Sequence, residues 1–161
     1  MHRSSKGFSL IELLIVVAII LVIAAIAVPN FLRSRVAANQ ASAVASLHTL
    51  GIAEATYAST FGQGYSINML YLASPSTAGA SPTSTAAGLI DSALASGTKS
   101  GYSFDYSPGA ADTTGRINNF NFTAVPITSS TGTNYYYTDE SGVIRVNATT
   151  NAVSTDSPVG G

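Results

Sequence analysis

The sequence contains no cysteine, and only 9% of its 161 residues are charged, against about 25% in an ordinary soluble domain. Without cysteine there is no disulfide framework and no thiolate metal site. Charge of either sign is scarce: seven Lys and Arg stand against eight Asp and Glu. A formal net charge of −1 creates no global field that would gather nucleic acid or an acidic partner. Histidine is nearly absent too. His2 lies at the extreme N-terminus, which leaves His48 alone, and one imidazole makes neither a catalytic triad nor a metal cluster. Ser, Thr, Ala and Gly fill the space, with eight Tyr and six Phe. Such a surface presents hydroxyls and amides rather than ion pairs, on a chain long enough for one compact domain.

The apolar residues are concentrated at one end. From Phe8 to Val28 run 21 residues with a single charge, Glu12. As a helix this stretch measures about 32 Å, enough to cross a bilayer core. His2, Arg3 and Lys6 precede it as a short basic leader, which favours a cytoplasmic N-terminus, although Arg33 and Arg35 beyond it pull the other way. Three readings compete. Ala25-Ile26-Ala27 offers an A-x-A-like site for removal as a secretory signal, but the run is too long for a signal core and contains a carboxylate. A plain membrane anchor would merely tolerate Glu12 near the interface.

The third reading takes Gly7-Phe8-Ser9-Leu10-Ile11-Glu12 together. This segment resembles the type IV prepilin signature: a basic leader ending in Gly, then Phe, a small hydroxyl residue, two aliphatics and Glu. The resemblance implies cleavage between Gly7 and Phe8 by a prepilin peptidase, followed by methylation of the new amino terminus. The apolar run then stays in the mature protein, and Glu12 becomes its fifth residue. It further implies that Glu12 meets the Phe8 amine of an adjacent subunit on entering a fibre. A buried charge lacking its partner is costly, so such a pair sets register between subunits.

Downstream, Val36, Ala43, Leu47, Leu50, Tyr57 and Phe61 mark an amphipathic helical stripe over residues 30–61, interrupted by Gln40 and Glu54. Pro29 falls inside the combined helix, where a kink is favoured over a plain boundary. Gly62 and Gly64 end the pattern. An uncharged loop is expected over 74–85, then a short helix over 86–96 with Leu89, Ile90 and Leu94 inward. Aromatic enrichment and partial alternation predict strands at 102–107, 117–127, 134–138 and 143–147. Asp139-Glu140-Ser141-Gly142 reads as a hairpin turn, and the tail from Thr149 as loosely held.

The expected fold is therefore α+β, a long N-terminal helix packed on a small antiparallel sheet, an arrangement that rests on the pilin resemblance. Its parts are a leader (1–7), a transmembrane and polymerisation segment (8–28), an amphipathic continuation (29–61) and a globular remainder (62–161). Processing is assigned to Gly7 and Phe8, and assembly to Phe8, Glu12 and Pro29. No catalytic residue, cofactor or metal is expected. Asp139 with Glu140 is too few ligands for calcium, and the glycosylation triplets at Asn121 and Asn147 are read as chance. The Tyr135-Tyr136-Tyr137 run is read as strand packing rather than a conduction path.

The resemblance implies a type IV pilus subunit, stored in the bacterial inner membrane and polymerised into an extracellular helical fibre. Its partners would be identical subunits, the peptidase, the lipid bilayer and an inner-membrane assembly platform with an ATPase; nucleic acid stays open. A type II secretion pseudopilin is the near alternative. A monomeric anchored or secreted binding domain is the alternative of another class.

Overall fold

The computed structural model describes residues 8–77 and 79–160. Gly7 and the rest of the leader lie outside that set. The chain divides into two compact units, residues 1–35 and 36–161. Helix α1, Leu10–Phe61, is 52 residues long.

In the first unit α1 begins where the Leu13 amide donates to the Ser9 carbonyl at 3.2 Å. Ala, Leu, Ile and Val follow with nothing to compete for backbone hydrogen bonds. Pro29 lies inside the helix and does not end it, which removes the boundary reading. It does remove one donor, so the Ala25 carbonyl lacks its helical partner, the condition from which kinks arise.

In the second unit one face of α1 carries the core: Ala43, Leu47, Leu50, Ala53 and Tyr57 are all buried. Glu54 is buried with them, at 0% exposure. It extends the stripe that sequence reasoning had it interrupting, because 43, 47, 50, 54 and 57 follow the 4–3–4–3 spacing of one helical face. Gly62 closes the helix with φ +66°, its amide donating to the Ala58 carbonyl at 3.1 Å.

A 3-10 turn follows at Met69–Leu72, capped by the Asn68 side chain, which accepts from the Leu70 amide. The helix expected from Ala86 is a correction. Residues 86–90 are not helical, because the amides of Ala87, Gly88 and Leu89 donate to the carbonyls of Tyr71, Ala73 and Leu72 at 2.8–2.9 Å. Only α2, Ser92–Ala95, is helical, opened by Asp91, whose carboxylate accepts from the Leu94 amide.

The sheet is a five-stranded antiparallel meander in chain order. Its strands are β1 (Thr98–Lys99), β2 (Tyr102–Pro108), β3 (Phe120–Pro126), β4 (Tyr135–Asp139) and β5 (Arg145–Asn147). Tyr102 and Phe104 of β2, Phe120, Phe122 and Ala124 of β3, and Tyr136 of β4 join the buried face of α1 in one core. Alternation places Tyr136 inside and leaves Tyr135 and Tyr137 half-buried. The architecture is thus α+β, a long N-terminal helix with an antiparallel sheet.

The tail is better held than its polarity suggested. Ala152 is buried, the Val146 amide donates to the Ser157 carbonyl, and the Val159 amide donates to the Ile144 carbonyl. Asp156 accepts from the Asn147 side chain at 3.1 Å and from the Val153 amide at 2.8 Å. Where a disulfide could not form, a carboxylate clasp closes the loop.

Candidate assembly segment

Along the described residues of the first unit the large apolar side chains are left uncovered. Every Phe, Leu, Ile and Val from Phe8 to Val28 is between 46% and 76% exposed. An 18-residue window of this helix has mean hydropathy 3.3 and is 0% buried. A helix apolar on all sides is stable only with lipid or other apolar helices around it.

Glu12 is the one acidic residue in the first turn of α1. Backbone amides at a helix start lack intrahelical acceptors, so a carboxylate there is favoured by the local partial positive charge. Among the described residues the ion pair is Lys99–Asp91 at 2.8 Å, and Glu12 takes no part in one. Phe8 is 76% exposed, two residues before the helix. Pro29 is exposed on α1, seventeen positions beyond Glu12. The structure therefore puts Phe8, Glu12 and Pro29 on one uncovered segment, while Gly7 falls outside the described residues.

Other residues singled out by sequence take ordinary roles. His48 is exposed on α1. Asp139 is spent on its own turn: its Oδ1 accepts from the Ser141 amide and hydroxyl, and the Gly142 amide donates to its carbonyl. Among the described residues no three His, Asp or Glu side chains gather as a metal site. Asn147 Oδ1 accepts from the amides of Thr149 and Thr150, so its side chain is committed at both ends.

Sequence reasoning missed the environment of Glu54. Its Oε2 accepts from the Ser66 amide at 2.9 Å, and its Oε1 lies 2.6 Å from Ser66 Oγ. Ser66 is itself fully buried. The Tyr106 hydroxyl donates to the Ser66 carbonyl. Burial pushes the Glu54 carboxyl above its ordinary range, with the hydrogen bonds from Ser66 opposing. The same burial, reinforced by Glu54, lifts the Tyr106 phenol above its usual value. The usable signal was the 4–3 spacing, which places position 54 in the core whatever occupies it.

Residues 2–28 match the family model of the prokaryotic N-terminal methylation motif. The chain is 52% identical over 46 residues to the type IV wide pilus major component PilA4 of Thermus thermophilus, covering 29% of this chain and 35% of that protein. It is 46% identical over 53 residues to the type IV major pilin protein PilA of Myxococcus xanthus, covering 33% of this chain and 24% of that one. The chain thus spans about a third or less of the length of these relatives. No solved structure matches it.

Proposed function

We propose that this chain is a structural subunit of a type IV pilus, cleaved after Gly7 and polymerised through the helix that begins near Phe8. The observation that carries the reading is the uncovered apolar helix headed by one carboxylate, in register with the N-terminal methylation motif. Cleavage would place a positive amine on Phe8, one helical turn from Glu12. Within one chain that amine and Glu12 form a head-to-tail pair of charges. In a fibre, Glu12 of an entering subunit pairs with the amine of its neighbour.

Lipid and fibre are alternative solvents for the same surface. In the bilayer the helix gains nothing by leaving, because lipid chains are as apolar as its neighbours. Extraction accordingly calls for an energy-driven platform, and processing for a peptidase on the cytoplasmic face. The role needs binding surfaces and no chemistry, so the chain is proposed as a non-enzyme.

The test is the intact mass and N-terminal residue of the protein from its native cells, with electron microscopy of the cell surface. A chain beginning at N-methylated Phe8 and recovered in filaments is the expected result. A chain beginning at Met1 or Val28, or one never found in a polymer, overturns the reading.

A further inference from the structure

Gly51 stands in the interior of α1 for no reason that its own fold supplies. Glycine weakens a helix interior by about fourfold relative to alanine. A Cβ built at Gly51 would meet nothing within 4 Å, and its φ is not positive. Neither close packing nor a special backbone angle therefore requires it. What the missing side chain leaves is space: Gly51 lines an open cavity of about 220 Å³ between α1 and the turn after β4.

The cavity has two kinds of wall. Leu47 and Ile52 of α1, with Tyr65 and Phe120, make it apolar, and Asp139 and Glu140 line it as well. Glu140 is exposed, and Ile52 is 55% exposed. Among the described residues neither acid takes part in an ion pair, and His48, which also lines the cavity, forms none with them. Apolar walls beside carboxylates suit a long side chain with an apolar stem and a cationic head, to which the aromatic rings add a cation–π attraction.

The chain has side chains of this kind, and several are engaged. Lys99 pairs with Asp91, and Arg145 donates to the Asp156 carbonyl at 3.0 Å. Arg116 belongs to the same end of the second unit as the cavity, because the next carbonyl, that of Ile117, accepts from the Tyr65 amide at 2.8 Å. Arg33 and Arg35 are exposed and outside any ion pair among the described residues. Arg35 adjoins Val36, where the second unit begins. From Val36 to Gly51 the helix rises about 22 Å. Charge is divided in the same sense: residues 36–161 hold three Lys and Arg against seven Asp and Glu, and residues 8–35 hold two Arg against one Glu. The base of one copy thus complements the cavity of another, which is the condition for a head-to-tail contact that propagates.

We propose that the cavity beside Gly51 receives the Arg35 side chain of a second copy, its stem lying across Gly51 and Ile52 and its guanidinium on Glu140. Asp139 is the lesser partner, since its Oδ1 already accepts from Ser141. The contact rests on the polymer reading and gives the fibre a polar register mark outside its apolar segment. Copies joined this way are displaced by about 22 Å along α1.

The experiment uses the full chain in cells that assemble the wild type. Arg35→Glu and Glu140→Arg are each expected to lower sheared-filament yield at least about tenfold, with leader removal and membrane level unchanged. The double exchange is expected to restore the yield to within about threefold of wild type. Because the chain has no cysteine, Arg35→Cys combined with Glu140→Cys gives a second readout that does not depend on charge reversal. A short bis-maleimide should link such filaments into a ladder of copies, where either single variant yields dimers at most. Gly51→Leu fills the cavity, and should cut filament yield while unfolding in detergent no more easily than wild type. Single exchanges without effect, a double exchange no better than the singles, absence of the ladder, or wild-type yield from Gly51→Leu each overturn the proposal. So does rescue of Glu140→Arg by Arg33→Glu in place of Arg35→Glu. A wild type that is unprocessed or never found in filaments overturns the polymer reading and this contact together.

Discussion

Two carboxylates in the second unit are driven in opposite directions by the same elementary forces. Glu54 has traded water for a core, and two donors from Ser66 do not compensate the loss. Asp112 keeps its water and gains donors: the amides of Thr114 and Arg116 and the side chains of Thr114 and Asn118 all donate to it, at 2.6–3.0 Å. Those hydrogen bonds hold its carboxyl well below the ordinary range. The expected outcome is an Asp112 carboxyl that stays ionised through the pH interval in which ordinary carboxylates protonate. Its contribution to loop order is present above the ordinary Asp range and is lost only as pH falls through its own depressed value. Carboxyl and amide chemical shifts of Asp112, Thr114 and Arg116, followed by NMR on acidification, check this. Movement of all three through the ordinary carboxylate range would contradict it.

Among the elements, the C-terminal loop shows how a chain without cysteine fastens an end. Asp156→Ala removes the acceptor for the Val153 amide and the Asn147 side chain, and is expected to cost about 1–3 kcal/mol. Denaturant midpoints in detergent would register that loss, and limited proteolysis would move cleavage into residues 148–160. How legible each element was depended on whether its residues carried a repeating signal. The stripe at Ala43, Leu47, Leu50 and Tyr57 was visible because spacing and polarity agree. Glu54 was misjudged because polarity was weighed above spacing, and a hydrogen-bonded carboxyl can occupy an apolar face. Leu89 and Ile90 suggested a helix, yet the carbonyls of Tyr71, Leu72 and Ala73 drew the amides of residues 87–90 into backbone pairing that no local pattern announces. β1, with two residues, is too short to have a period at all. In the assembly segment the leader, Gly7, Phe8 and Glu12 were legible as a motif, and exposure of the whole run was implied by its being apolar on every side.

For the whole molecule, the exposed Phe8–Val28 face and the lone charge within it make one prediction. Glu12→Val should leave membrane insertion and leader removal intact while abolishing filaments. Losing one partner of a buried charge pair costs about 3–5 kcal/mol, so subunit affinity is expected to fall at least about a hundredfold. Cell fractionation, N-terminal sequencing and sheared-filament yield separate the three steps. Wild-type filament yield from the variant would remove Glu12 from the assembly proposal.

The sheet bears on what kind of polymer this chain can enter. One edge, β1, is two residues long and carries Lys99, and the other, β5, is covered by the backbone pairing of Val146 with Ser157 and Val159 with Ile144. Neither offers a long flat row of free amides to a second chain. Copies packed at high density are thereby kept from fusing into a continuous cross-β ribbon. Growth by strand addition is blocked at both margins, so any assembly of such copies has to be built from discrete folded bodies joined through other surfaces.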